Sequence, residues 1–211
     1  IILMPISVAF VLLYKHSGTS TPELILLQIG AIWFGTFMYT FFISLFYEIA
    51  AKLNKKLRTP FIRYRAYLGI LSLCFLIALL ASFNANNPVL REFTIETESV
   101  TGKEEKTYHF AFLSDLHFGR VISADFLEKS LSLLKDKPTD ALFFIGDILD
   151  DHYRVDSALM KKTIGKINAR LGAWAVFGNH EYISGSIDNS RKLIEESGMK
   201  LLVDEYYVLD E

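Results

Sequence analysis

The chain has 211 residues, of which 51% are hydrophobic, and its mean hydropathy of +0.28 is high for a water-soluble protein. Its net charge of −2 combines two unlike halves: residues 1–83 hold seven Lys or Arg and two Glu, whereas residues 84–211 hold 15 Lys or Arg and 22 Asp or Glu. The lone cysteine, Cys74, lies in the apolar half, which excludes a disulfide framework in the acidic half.

Three apolar segments come first in the chain. Residues 24–47 and 66–83 contain no charged residue, and each has about the length of a helix that spans a bilayer, roughly 20 residues. Residues 1–14 are equally apolar but shorter, and the chain starts without Met, so we expect them to be the end of a truncated span. A cleaved signal peptide fits less well because no basic segment precedes residues 1–14 and two more spans follow.

The loop between the two full spans, residues 48–65, is strongly basic. The loop at 15–23 holds one cation, Lys15, whereas the 48–65 loop holds Lys52, Lys55, Lys56, Arg58, Arg63 and Arg65. Because cytoplasmic loops retain positive charge, this bias predicts that residues 48–65 lie inside the cell. We therefore expect a multi-pass membrane protein whose domain after residue 83 faces the periplasm or the exterior. A nucleic-acid partner is not expected, since the basic loop is short and tethered to the bilayer at both ends.

Residues 84–92 form a polar linker in this interpretation, and residues 93–211 have the pattern of an α/β domain. We expect strands at 91–100, 107–115, 141–147, 173–180 and 200–210, the first two forming a hairpin. We expect helices at 123–136, 155–172 and 186–198. Apolar strands that alternate with helices indicate a mostly parallel sheet covered on both faces.

Three successive strands of this domain end in polar residues, within "SDLHFG" (114–119), "GDILDD" (146–151) and "GNHEY" (178–182). Ligands of such sheets bind beyond the carboxyl ends of the strands. The side chains expected to converge there are those of Asp115, His117, Asp147, Asn179 and His180. Carboxylate, imidazole and amide donors make a mixed site that suits Mn, Fe, Zn or Mg. Asp147 could bridge two divalent ions, Asn179 would bind the second ion, and His180 would face the substrate.

In order and spacing, these motifs resemble the first three motifs of the calcineurin-like metallophosphoesterase superfamily, over about residues 107–182. The apolar N-terminus resembles the membrane-anchored bacterial branch of that family. The resemblance implies the first half of an αββα sandwich, that is, two sheets flanked by helices. It places Asp115, His117 and Asp147 on one metal and Asp147 with Asn179 on a second. It gives His180 the task of protonating the leaving group or stabilising the phosphoryl oxygens.

Four further residues near the motifs have weaker assignments. Asp150 matches the last acidic position of the second motif and is expected to orient the metal ligands without binding an ion itself. Arg120 could meet a substrate phosphate, and His152 could touch the substrate. For Glu181, orienting a neighbouring histidine and an ordinary surface position are equally good interpretations.

Members of this family carry two more histidine-bearing motifs, and this sequence has no histidine after His180. We therefore expect a chain cut at both ends, which by itself is inactive. The expected function of the whole protein is that of a membrane-anchored, two-metal phosphoesterase that hydrolyses a phosphate ester outside the cytoplasm. One alternative is hydrolysis of a nucleotide- or lipid-linked diphosphate at the membrane surface. The other is a membrane module that binds without catalysis.

Overall fold

The computed structural model describes residues 21–97, 106–119, 124–149, 156–183 and 186–209. These residues belong to two compact units, which are divided in sequence between Asn87 and Pro88. The expected truncated span at residues 1–14 lies outside the described residues.

The first unit is a pair of long helices, α1 (Thr21–Leu53) and α2 (Pro60–Ala85), joined through a short 3-10 helix at Lys55–Arg58. Both charge-free segments lie within these helices, but the helices continue into the basic segment at 48–65. The expected loop at 48–65 is therefore mostly helical, and only the residues between Leu53 and Pro60 form a tight turn. Asn54 starts the 3-10 helix by accepting a hydrogen bond from the Lys56 amide at 3.0 Å, and Pro60 occupies the first turn of α2, where its missing N–H costs nothing.

Both helices have the length and composition of membrane spans. The segments long and apolar enough to cross a membrane are Ile29–Leu53, with 25 residues, and Pro60–Ala85, with 26 residues. In the most apolar stretch of each helix, only 6% and 11% of the residues are buried. A core helix of a water-soluble protein would instead bury its apolar face. Their exposed side chains include Phe46 and Leu80, as expected for surfaces that contact lipid.

The second unit is built on a four-stranded sheet. Its strands are β1 (Phe110–Leu113), β2 (Ala141–Ile145), β3 (Ala173–Val176) and β4 (Lys200–Leu201). They lie in the order β1-β2-β3-β4, and every neighbouring pair is parallel. This confirms the predicted parallel sheet.

Within the described residues, four helices accompany the sheet: α3 (Ala124–Ser132), α4 (Ser157–Ile164), α5 (Asn179–Ile183) and α6 (Ile187–Glu196). Helix α4 begins where the Asp156 carboxylate accepts a hydrogen bond from the Leu159 amide, and α6 begins where the Ser186 hydroxyl accepts one from the Asn189 amide. The predicted helices were longer, most of all at the C-terminal end of α4, where the prediction ran to residue 172 and the helix ends at Ile164. Helix α5 was not predicted, because its residues were assigned to the end of a strand.

The core lies between one face of the sheet and helices α3, α4 and α6. Its largest fully buried side chains from the sheet are Leu142 and Phe144, and the helices contribute Leu127, Met160 and Ile194. Because side chains alternate along a strand, the neighbouring residues point to the opposite face. On that face Phe112 is 62% exposed and Ile145 is 48% exposed. In the described residues, helices thus cover one face of the sheet, and the other face is covered only in part, at Trp174, which is 3% exposed.

Two predicted strands differ from the structure. Residues 91–97 form no strand, so the predicted hairpin is wrong for them. Their apolar side chains, Phe93 and Ile95, are 84% and 85% exposed and have no packing surface to hold an extended pairing. The last strand is reduced to Lys200–Leu201, because Asp204 adopts a left-handed backbone conformation, with φ of 54°, and turns the chain away.

Candidate metal centre

The ends of β1 and β2 run side by side beyond the regular sheet. The Asp115 amide donates to the Gly146 carbonyl at 3.2 Å, and the His117 amide donates to the Asp147 carbonyl at 2.9 Å. The Phe118 amide then donates to the Ile148 carbonyl at 2.7 Å. Parallel pairing thus holds the polar residues of the first two motifs next to each other.

These loops contain backbone conformations that side chains other than glycine rarely adopt. Asp115, His117 and Asp147 have φ angles of 52°, 45° and 50°. Such left-handed residues cost free energy and persist where the surrounding structure demands them, which happens often at functional sites. Three of the four such residues in the described part of the chain, Asp204 being the fourth, are predicted metal ligands.

Three side chains converge at this edge of the sheet: His117, Asp147 and His180. Each offers one ligand atom, and these atoms all lie within 4.8 Å of one another. The two imidazole rings have centroids 4.4 Å apart and planes at 74°. Two ring nitrogens and a carboxylate oxygen, all half-buried, form a donor set that fits a divalent cation.

The Asp147 carboxylate is held by the loop that follows β3. Its Oδ1 accepts a hydrogen bond from the His180 amide at 2.9 Å. When the Asn179 amide nitrogen faces this carboxylate, it donates to Oδ2 at 3.0 Å and to Oδ1 at 3.3 Å. The structure thus brings the predicted bridging residue Asp147 and the predicted ligand Asn179 into direct contact.

Two glycines make this approach possible. A Cβ atom added to Gly178 would lie 2.2 Å from Asp147 Oδ1, and one added to Gly146 would lie 2.8 Å from the Gly178 Cα. Gly146 also has a left-handed φ of 73°. The loops after β2 and β3 therefore touch through backbone atoms, which only glycine permits at these positions.

Glu181 holds the same two loops together from inside the protein. Its side chain is fully buried. One carboxylate oxygen accepts from the Ile148 and Leu149 amides at 2.8 and 2.9 Å. The other accepts from the Asp147 amide at 3.1 Å and the Gly178 amide at 2.7 Å. The interpretation of Glu181 as a surface residue is therefore wrong.

A sequence signal for this role exists in the spacing of Gly178 and Glu181. A Glu three residues after the start of a helix often accepts a hydrogen bond from the amide at that start, which is one half of a capping box. Helix α5 begins at Asn179, so the Gly178–Glu181 contact has this geometry. Treating the segment as the end of a strand concealed the signal.

The remaining predicted residues are placed as follows. Asp115 is exposed and is not one of the three clustered side chains. His180, predicted to face the substrate rather than the metal, is itself one of the three clustered donors. Arg120, Asp150 and His152 lie outside the described residues, so their predicted roles stay predictions.

Comparison with known proteins identifies the domain that holds this site. Residues 108–209 match the family model described as calcineurin-like phosphoesterase. This match confirms, for these residues, the resemblance seen in the motifs. No solved structure gave a significant match.

Several curated proteins are similar to the chain. An uncharacterized metallophosphoesterase of Bacillus subtilis, YkoQ, is 29% identical over 144 residues, covering 65% of this chain and 52% of that protein. An uncharacterized metallophosphoesterase of Aquifex aeolicus is 30% identical over 114 residues, covering 54% and 42%. A transmembrane protein with a metallophosphoesterase domain from Danio rerio is 28% identical over 91 residues, covering 43% and 20%. The chain thus spans about half the length, or less, of these relatives.

Proposed function

We propose that the protein is a metal-dependent phosphoesterase held at a membrane by α1 and α2. The convergence of His117, Asp147 and His180 at the carboxyl edge of the parallel sheet carries this proposal. The family of residues 108–209 supports the chemistry. The two apolar helices, and relatives that are named transmembrane proteins, support the membrane association.

The donor set suits two divalent ions of Mn, Fe, Zn or Mg. His117 and Asp147, with Asp115, would hold one ion, and Asp147 with Asn179 would hold the other. When bound, such a pair supplies Lewis-acid polarisation of a phosphoryl group and a water molecule of lowered pKa.

The protein's own groups position this chemistry. The Asp147 carboxylate is fixed by the His180 amide, and the loops on both sides of it are fixed by Glu181. In the proposed role, Asn179 turns its amide oxygen, rather than its nitrogen, toward the site. The His180 imidazole protonates the departing oxygen or stabilises the phosphoryl oxygens.

The proposed substrate is a phosphate ester outside the cytoplasm. A lipid-linked diphosphate is the second candidate, because two apolar helices would keep the domain near a lipid surface. Nucleotide-linked lipids would require the domain to face the cytoplasm, and the charge bias of the helix-joining turn opposes that orientation.

The test is Asp147→Asn in the whole protein, purified in detergent. This substitution removes the bridging charge, so both bound metal, measured by elemental mass spectrometry, and hydrolysis of a nitrophenyl phosphate ester should be lost. Asp136→Asn, at an exposed residue in the turn after α3, is the matched control and should change neither.

Near-normal hydrolysis with two bound metals in Asp147→Asn would overturn the two-metal assignment. A whole protein of native sequence that binds metal but hydrolyses no phosphate ester would support the binding module instead.

A further inference from the structure

The turn that joins α1 and α2 concentrates positive charge. Residues 48–65 contain six Lys or Arg and one acidic residue, Glu48, which gives a net charge of +5. Lys52, Lys55, Lys56 and Arg65 are exposed. The like charges of such a segment repel one another, and nearby counter-charges relieve that repulsion.

The acidic group of the segment is already engaged inside the helix pair. Glu48 Oε1 accepts a hydrogen bond from Arg63 Nη2 at 2.6 Å and another from the Tyr67 hydroxyl. Glu48 therefore balances Arg63, on the facing helix. The exposed lysines of the turn have no second carboxylate within residues 48–65.

The backbone of the turn is held in one shape. Arg58 donates from Nε to the Ala51 carbonyl at 2.7 Å and from Nη2 to the Lys52 carbonyl at 2.5 Å. The Tyr47 hydroxyl donates to the Leu57 carbonyl at 2.8 Å. Arg58 thus closes the last turn of α1, which carries Lys52, and Lys55 and Lys56 project from the 3-10 helix that follows.

The depth of the turn in a bilayer follows from the helices on either side. Each is a candidate span, and the turn lies at the end of both, which is the level of the lipid headgroups. Phe61 and Tyr64 beside the turn are 67% and 68% exposed, and the Arg65 guanidinium lies 5.2 Å from the centre of the Phe61 ring. Aromatic and cationic side chains together are typical of the interface between lipid and water.

We propose that this turn is a binding site for anionic phospholipid headgroups, centred on Lys52, Lys55 and Lys56. Ammonium groups on a rigid turn present point charges to headgroup phosphates, and the adjoining aromatic rings contact the glycerol level of the lipid. The inference rests on the proposed membrane anchoring, but not on the phosphoesterase activity.

The experiment uses the whole protein in detergent micelles with an equimolar mixture of phosphatidylglycerol and phosphatidylcholine. Native mass spectrometry counts the lipids of each kind that remain bound. We expect phosphatidylglycerol to be retained in excess. Lys55→Gln with Lys56→Gln should reduce that excess by about tenfold, since each cation near an anionic surface contributes separately.

Two matched variants separate charge from other effects. Lys55→Arg with Lys56→Arg keeps the charge and should keep the preference. Lys135→Gln with Lys162→Gln removes two exposed cations of the second unit and should leave the preference unchanged. Circular dichroism confirms that each variant keeps its helices.

Equal retention of the two lipids by the native sequence, or an unchanged preference in the Gln variant, overturns the proposed site. Flotation with phosphatidylcholine vesicles serves as the companion measurement. Protein that floats without preferring phosphatidylglycerol is anchored but lacks the site, and protein that does not float refutes the anchoring as well.

Discussion

At the scale of single residues, the position of His180 allows two roles that one substitution can separate. Its ligand atom lies within 4.8 Å of those of His117 and Asp147, so both a ligand and a proton donor fit the geometry. If it donates a proton, His180→Ala in the whole protein should lower turnover by about 10²–10⁴-fold, the usual contribution of general acid catalysis. Metal content should stay close to normal, and esters with acidic leaving groups should lose less activity.

A parallel loss of metal and activity in His180→Ala would make this histidine a ligand and contradict the predicted role. His109→Ala is the control. His109 is exposed and directly precedes β1, at the opposite end of the strand from the site.

Glu181 should control the stability of the loops around the site. Four backbone amides donate to its buried carboxylate, and unpaired buried donors cost about 1–3 kcal/mol each. Glu181→Ala should therefore destabilise the second unit by about 3 kcal/mol or more. Hydrogen exchange at the amides of residues 147–149 and 178 should accelerate before exchange elsewhere in the sheet does.

Glu205→Ala, at an exposed residue, is the matched control for this measurement and should leave the exchange unchanged. Unaltered protection of the four amides in Glu181→Ala would show that the carboxylate does not hold the loops.

The sequence predicted that His117, Asp147 and His180 converge, because Asp and His that end apolar strands have few purely structural explanations, and their ligand atoms do lie together. It did not reveal that Glu181 accepts hydrogen bonds from three amides that lie 32–34 residues earlier in the chain. A backbone amide donates whatever its side chain is, so the identities of those three residues do not indicate the contact. Contacts of this kind depend on tertiary structure.

At the scale of elements, the close approach of the loops after β2 and β3 should depend on the absence of a side chain at Gly178. A methyl group there would lie 2.2 Å from Asp147 Oδ1, so Gly178→Ala must push the carboxylate away. We expect metal affinity to fall by about 10–100-fold, as for other changes that misplace a ligand. Isothermal titration with Mn²⁺ would measure this.

Gly172→Ala provides a matched comparison. Gly172 has a left-handed φ of 85° but open space around its Cα, so alanine there should cost about 1–2 kcal/mol of stability without changing metal affinity. Equal metal affinity in the two variants would contradict the steric account of Gly178.

The predicted elements were accurate where the sequence is a continuous apolar run. Strands β2 and β3 are apolar throughout, and burial confirms them. The prediction failed at residues 91–97, where strand-favouring Thr and Ile have no sheet to join. The pattern does not distinguish the two faces of the sheet, since Phe112 and Ile145 are exposed yet as apolar as the residues of the face that packs on the helices.

At the scale of the whole molecule, the two units have opposite net charge. The basic turn belongs to the helix pair, whereas 22 of the 24 Asp and Glu residues lie in residues 84–211. A negative domain on the same side as an anionic headgroup surface would be repelled by it, whereas the basic turn would be attracted.

The side on which the domain lies decides which substrates it can meet. Six cations in residues 48–65 against one in residues 15–23 is a large bias for short loops, where the retention of positive charge is strongest. The turn around Lys55–Arg58 should therefore be cytoplasmic, and a chain that crosses once more through α2 should place the domain outside. An external site would meet phosphate esters and lipids of the cell envelope but no cytoplasmic nucleotides.

The test fuses a reporter enzyme that is active only outside the cytoplasm to Glu211 of the Asp147→Asn variant. This reporter should be active in intact cells. The same reporter fused after Asn54 should be silent. The reverse pattern would place the site in the cytoplasm and make a nucleotide-linked lipid the better candidate substrate.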